Sequence, residues 1–195
     1  MEVLERSTRK QQIEEQATAL FKTKGYTASS MRDLAQILGI EAASLYSHIK
    51  SKEEILQNIC FKMADAFFLA IEQVDKSSPE QQLSAAIKAH FKVISKNINA
   101  SAVFFNEWRH LSEPHLTEFL AMRTRYEQYF IKIIHQGIKC GLFRPIDEKF
   151  AMMTLLSSIN WTHQWYRPTG KMSMGEIGDH LSELLINGLI KNRNK

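Results

Sequence analysis

Residues 30–56, SMRDLAQILGIEAASLYSHIKSKEEIL, constrain the fold of this chain more than any other stretch. Met31, Leu34, Ala35 and Leu38 recur at i, i+3, i+4 and i+7, the spacing that puts side chains on one face of a helix. Gly39 follows at once, where a helix C-terminus favours a left-handed residue. Ile40 and Leu45 then anchor a second helix, and Ala35 is small enough to let the two cross closely. Ser51 and Glu54 form an S-x-x-E capping box that opens a third. Two helices joined by a short glycine turn are also found in ordinary helical bundles. The same hairpin is the unit that lays its second helix in the DNA major groove.

The residues on this scaffold favour the DNA reading. Leu45-Tyr46-Ser47-His48-Ile49-Lys50-Ser51-Lys52-Glu53 resembles the L-Y-x-H-F-x-S-K-E signature of TetR-family transcriptional regulators. The run from Gly25 to Ala35 is similar to that family's approach to its second helix, and the likeness spans about residues 9 to 56. Ile49 stands where the family commonly has Phe. Glu41-Ala42-Ala43-Ser44 replaces the usual small-polar-Gly entry to the reading helix, and sets a carboxylate beside the expected phosphates.

The expected DNA contacts follow from position and residue type. Ser29 and Ser30 begin the second helix, where hydroxyls and free backbone N–H groups suit a phosphate. Ala42, Ala43 and Ser44 are short residues on the reading helix, and permit close approach to thymine methyls. His48 is a larger contact. The resemblance implies a phosphate partner for Tyr46, and Lys52 with the capped start at Ser51 is expected to hold another. Arg9 and Lys10 are expected at the DNA backbone. Eight basic residues against four acidic ones lie between Arg6 and Lys52, a surplus equal to the net +4 of all 195 residues. The positive charge is therefore concentrated where phosphates would lie.

The remaining pattern is helical throughout, so the expected fold is all-α. Three helices make a DNA-binding domain over residues 1–50, and six more make an effector-binding and dimerisation domain over 51–195. Eight glycines and four prolines are few for a loop-rich protein, and no strand-like alternation of useful length occurs. The spans read as 8–24, 51–74, 79–97, 101–111, 114–139, 147–166 and 173–191 beside the reading pair, with residues 76–79 as a linker. Ser173 and Glu176 cap the last helix.

The C-terminal portion is rich in aromatics. Phe68, Phe105, Trp108, Tyr126, Tyr129, Trp161 and Trp165, with Met122, Arg109 and Arg123, suit a pocket that is apolar with a few directed polar groups. Residues 160–173, NWTHQWYRPTGKMS, with Ile186-Asn187-Gly188-Leu189 and Phe105-x-Glu107-Trp108-Arg109-x-Leu111, look like one TetR-family branch. Its members answer to fatty-acyl, phenylacetyl and steroid-derived CoA thioesters. That resemblance implies an acyl- or aryl-CoA effector, whose phosphates Arg109, Arg123, Arg125 or Lys132 could hold. An apolar cationic drug, caged by aromatics and Glu107, is the alternative effector. Met152, Leu155, Leu156 and Ile159 form one apolar face and Leu181, Leu184, Leu185, Gly188 and Leu189 another; pairing two copies would bury both in a four-helix homodimer interface.

Other classes find little support. No G-x-S-x-G, Walker, H-E-x-x-H or C-x-x-C motif occurs, so no enzyme, cofactor or metal is expected. The two cysteines read as reduced thiols, and the N-terminal MEVLERSTRKQQ is too polar for a secretory leader. No apolar run approaches the roughly 18 residues of a membrane span. The expectation is a cytoplasmic, ligand-released repressor that binds a palindromic operator as a dimer. A sequence-indifferent DNA-binding protein is the remaining alternative.

Overall fold

A computed structural model describes residues 8–75 and 77–191. Arg6, Lys76 and the N-terminal residues before Thr8 lie outside it. Ten α-helices occur among the described residues: α1 (Arg9–Lys24), α2 (Met31–Leu38), α3 (Ala42–Tyr46), α4 (Lys52–Glu72), α5 (Pro79–Lys96), α6 (Ile98–Glu107), α7 (His115–Lys139), α8 (Glu148–Asn160), α9 (Thr162–Trp165) and α10 (Met174–Asn187). A 3₁₀ turn over Trp108–His110 follows α6. Only Trp161 separates α8 from α9, and it keeps right-handed helical angles, so the two are one interrupted helix and the expected count of nine holds. No strand occurs among the described residues; Phe143 and Ile190 make an isolated antiparallel bridge.

The chain divides into two compact units. The first comprises Met1–Met63 and Asn99–Phe119, the second Ala64–Ile98 and Leu120–Lys195.

In the first unit, a Thr8–Gln11 capping box starts α1, whose apolar face is Ile13, Ala17, Leu20 and Phe21. A second box, Ser30–Asp33, starts α2, and Lys24 pairs with the same Asp33 carboxylate at 2.9 Å. These contacts hold the Asp33 pKa down at about 2, the hydrogen bond from Lys24 contributing most. Gly39 takes the left-handed conformation (φ 64°, ψ 34°) and sends its N–H back to the α2 carbonyls of Ala35 and Gln36. That turn aims α3 across α2, with Leu45 fully buried. Ser51 caps α4 by accepting from the Glu54 N–H, while the Glu54 carboxylate reaches back to the N–H of Lys50. Leu34, Ala35, Leu45, Ile49, Ile55, Leu56, Ile59 and Cys60 share one core with the α1 face. Val103, Leu111 and Phe119, far downstream in sequence, belong to that same core.

In the second unit α5 packs most extensively on α10. Ser78 caps α5 and Pro79 occupies its first turn, where the missing N–H has no intrahelical partner to lose. Ser173 and Glu176 form the expected box on α10. Past α7, Gly141 (φ 75°) turns the chain back, and Phe143 comes to lie directly over Gly137.

The residues expected at the dimer faces are mostly covered within the protomer. Met152, Leu155, Leu156, Ile159 and Leu189 are buried within the protomer, because α8 and the end of α10 turn these residues into their own core. Leu181 and Leu185 are half-buried. Of the residues named for this role, Leu184 (74 % exposed) and Gly188 remain at the surface. The other large apolar side chains exposed along α8 and α9 are Phe150, Met153, Trp161 and Trp165.

Candidate nucleic-acid interface

The reading helix is short, and the first unit positions it. Leu45 and Ile49 are its buried anchors; Ala43, Ser44, Tyr46 and His48 project into solvent, and Ala42 is half-buried. Tyr46 is an aromatic residue left 53 % exposed. A rigid helix showing small residues and one exposed phenol has the shape that groove entry requires. Glu41 occupies the N-cap of α3 yet makes no side-chain capping bond, so its carboxylate lies at the edge of the same surface.

Three expected contacts have other duties. Ser29 is buried, and its hydroxyl donates to the Gly25 carbonyl at 2.6 Å, which turns it away from any phosphate. Ser30 is exposed but engaged in the α2 capping box, its hydroxyl donating to Asp33. Lys52 is half-buried. Its ammonium donates to the carbonyls of Tyr26 and Ser29, both at 2.8 Å, and sits 4.2 Å from the centre of the Tyr26 ring. Two of its three N–H donors thus close the loop that enters α2. Arg9 donates to Gln12 within α1, and Lys10 pairs with Glu54 at 3.4 Å. Arg32 and Lys50, exposed cations on α2 and just before α4, were not singled out as contacts from the sequence. Their signal was there: basic residues within the helix-turn-helix on positions the apolar spacing leaves outside.

The 3₁₀ turn and the residues on either side of it fasten onto this unit. The His110 imidazole stacks on the Tyr26 ring (5.3 Å between centres, 25° between planes), and its Nε2 lies 3.4 Å from the Thr27 hydroxyl and 3.5 Å from Glu107. The Glu53 carboxylate accepts the Ser112 N–H at 2.9 Å, and its pKa is lowered first by hydrogen bonding to the Ser112 side chain and then by that N–H. Lys22 donates to Asn99 at 2.8 Å. Cys60 is sealed in the core, and desolvation raises its thiol pKa to about 12, so it stays protonated and inert.

The residues expected around an effector fall in both units. In the first, Trp108 stacks on Phe119, Arg109 covers the Trp108 ring at 4.8 Å, and Phe105 meets Phe104 edge-on. In the second, the Phe68 ring carries Arg125 at 4.4 Å and meets Tyr126 edge-on. Arg123 pairs with Glu127, Tyr129 donates to the Ile71 carbonyl at 3.4 Å, and Met122 is half-buried. Trp161 (62 % exposed) and Trp165 (45 %) stand at the protomer surface.

Sequence reasoning passed over the most unusual group of the second unit. His90 is buried among Phe67, Tyr126 and Phe130, with Nδ1 2.8 Å from the Tyr126 hydroxyl and Nε2 2.8 Å from Asn160 Oδ1. Burial drives its pKa down to about 4, so the ring is neutral and both nitrogens are engaged. The signal was a lone histidine on the α5 face made by Leu83, Ala86, Ile87 and Ile94.

Two family models match the chain: bacterial regulatory proteins of the tetR family over residues 13–59, and the tetracyclin repressor-like C-terminal domain over residues 76–189. The HTH-type transcriptional repressor KstR2 of Mycolicibacterium smegmatis is 24% identical over 191 residues, 96% of this chain and 93% of that protein. The solved TetR-family regulator PfmR from Thermus thermophilus is 33% identical, with a TM-score of 0.80 over 92% of this chain and 99% of that one. The structure of AibR in complex with isovaleryl coenzyme A and operator DNA has a TM-score of 0.78 at 22% identity, covering 91% and 97%.

Proposed function

The chain belongs to the tetR family of bacterial regulatory proteins, and from that premise we propose that it is a repressor released from a palindromic operator by an acyl- or aryl-CoA thioester. It is a DNA-binding transcriptional regulator. The observation that carries the DNA side is the exposed face Ala43, Ser44, Tyr46 and His48, held on a helix whose other face is locked by Leu45 and Ile49. Repression is supported by the relative KstR2, which carries that description.

Two copies are needed, because a palindrome presents two half-sites about one helical turn apart, ~34–36 Å. The exposed Trp161, Trp165, Phe150, Met153 and Leu184 supply apolar surface for that pairing. α4 starts beside the reading helix and runs on as far as Glu72. A ligand that tilts α4 shifts α3, and a shift of a few ångströms puts the two half-sites out of register.

The thioester reading is supported by AibR, solved with isovaleryl coenzyme A, and by aromatics beside arginines, as at Phe68 and Arg125. The cationic-drug reading relied on Glu107, which here faces His110. Sequence-indifferent binding would favour a more basic chain than one of net charge +4. We place the protein in the cytoplasm, with no catalytic role. Among the described residues no helix is long and apolar enough to cross a membrane.

The test is a titration of the DNA upstream of the protein's own gene, at fixed salt, with and without a panel of acyl- and aryl-CoA thioesters. A specific complex dissolved by one thioester is the expected result. A complex that no thioester disturbs would sink the effector assignment and leave the operator reading standing.

A further inference from the structure

The loop that leads into α2 is fastened from two directions. From α4, Lys52 holds the carbonyls of Tyr26 and Ser29. From the 3₁₀ turn after α6, His110 lies flat on the Tyr26 ring at 5.3 Å, with Thr27 and Glu107 each within 3.5 Å of its Nε2. The Tyr26 ring is itself wedged edge-on against Phe21 of α1 at 5.3 Å. It therefore touches α1, α4 and the turn at once, three supports of the reading head.

We propose that His110 is a positioning residue for operator reading, acting through Tyr26 rather than on DNA. The inference rests on the operator-binding reading above. Tyr26 sets where the loop ends and so where Ser30 begins α2. Leu34 and Ala35 of α2 share a core with Leu45 of α3, so the start of α2 sets the placement of the reading helix. Without the imidazole, Tyr26 keeps its hold on Lys52 and Phe21 but has no outer layer. The loop gains freedom, and α3 samples placements that miss base edges while still meeting phosphates. Sequence-selective affinity falls; non-selective affinity, which phosphate charge sets, does not.

The experiment compares the parent protein with His110→Ala and His110→Phe. Two probes are used: a duplex enriched from random sequence by the parent, and an unrelated duplex of equal length. Both are titrated over a salt series well below each variant's unfolding temperature. His110→Ala should bind the enriched duplex about five- to tenfold more weakly, the worth of one aromatic stack. Its binding to the unrelated duplex and its salt slope should match the parent. His110→Phe keeps a ring over Tyr26 and should restore selective binding, which it could not do if the imidazole acted by bonding to DNA. Parent-like selectivity in His110→Ala would overturn the proposal, as would a His110→Phe variant as weak as His110→Ala. A parent that enriches no sequence at all would overturn the operator reading as well, so the two failures are told apart.

Discussion

The ammonium of Lys52 lies 4.2 Å from the centre of the Tyr26 ring and donates to the Tyr26 carbonyl at 2.8 Å. A cation that the sequence places on DNA is thus largely engaged inside the protein. Replacing Lys52 with Met should cost the first unit about 2–3 kcal/mol, the combined scale of charged hydrogen bonds and a cation–π interaction. The slope of log affinity against log salt should stay at the parent value. A slope shallower by about 0.9 would mean that the ammonium neutralises a phosphate after all. Denaturant melts with DNA titrations at four salt concentrations read both.

Glu41 sits at the edge of the reading surface with its carboxylate outside any capping bond. Near phosphates such a group repels, unless it accepts from a cytosine amino group in the major groove. Glu41→Gln should raise binding to unrelated DNA several-fold, about 1 kcal/mol or less for removing one exposed charge. If Glu41 reads cytosine, sequences enriched by Glu41→Gln will also lose a cytosine preference at one position of each half-site. Unchanged binding to unrelated DNA would place the carboxylate away from the duplex.

His90 gives the second unit a pH dependence of known sign. Its pKa is about 4 in the folded protein against an ordinary 6.5, so between those values the unfolded chain binds more protons. Stability therefore falls as pH drops through the window from 6.5 to 4, by on the order of 3 kcal/mol when the shift is fully expressed. Urea unfolding at several pH values should show this slope, and His90→Gln should flatten it while lowering stability at neutral pH. A variant with the parent's pH profile would remove His90 as its source.

Two glycines should respond in opposite ways to alanine. A methyl at Gly137 would fall 2.1 Å from the fully buried Phe143 ring, so Gly137→Ala must displace that ring and should cost about 1–3 kcal/mol or more. A methyl at Gly178 of α10 would rest 3.7 Å from Phe91 of α5, an ordinary van der Waals contact, and Gly178→Ala should be neutral or stabilising by up to about 1 kcal/mol. Thermal melts of the two variants side by side check this.

Leu184 and Trp161 belong to the surface proposed for pairing. Both are largely exposed in the protomer, so Leu184→Glu or Trp161→Glu should leave the monomer fold intact. Either should move the dimer towards monomer in sedimentation and weaken operator binding. The buried Leu155 is the contrast, since Leu155→Ala should lower thermal stability instead. Dimers that survive both glutamate substitutions would place the interface elsewhere.

How far these features could be foreseen depended on the range of the interaction involved. Gly39, the Ser30–Leu38 face and the Ser173–Glu176 box are set by neighbours within one or two helical turns, and local spacing shows them. Lys52 and Ser29 were legible as residues and not as roles, because the carbonyls they meet come from chain reversal at Gly25. The face of α8 was legible as apolar, but periodicity does not say whether such a face meets the protomer's own helices or a second copy. His90 stood out in pattern; its partners Tyr126 and Asn160 lie 36 and 70 positions away, beyond the reach of any local rule.

The first unit draws its core from residues 13–60 and again from Val103, Leu111 and Phe119. During synthesis the helix-turn-helix leaves the ribosome long before the residues that complete its interior. A growing chain that ends at residue 63 has every side chain of the reading surface and an unfinished hydrophobic centre beneath it. The core beneath the reading surface is therefore complete only once Phe119 has emerged, after much of the polypeptide has been made. For the same reason a contiguous stretch cut after α4's first turns carries the reading surface without Val103, Leu111 and Phe119 beneath it.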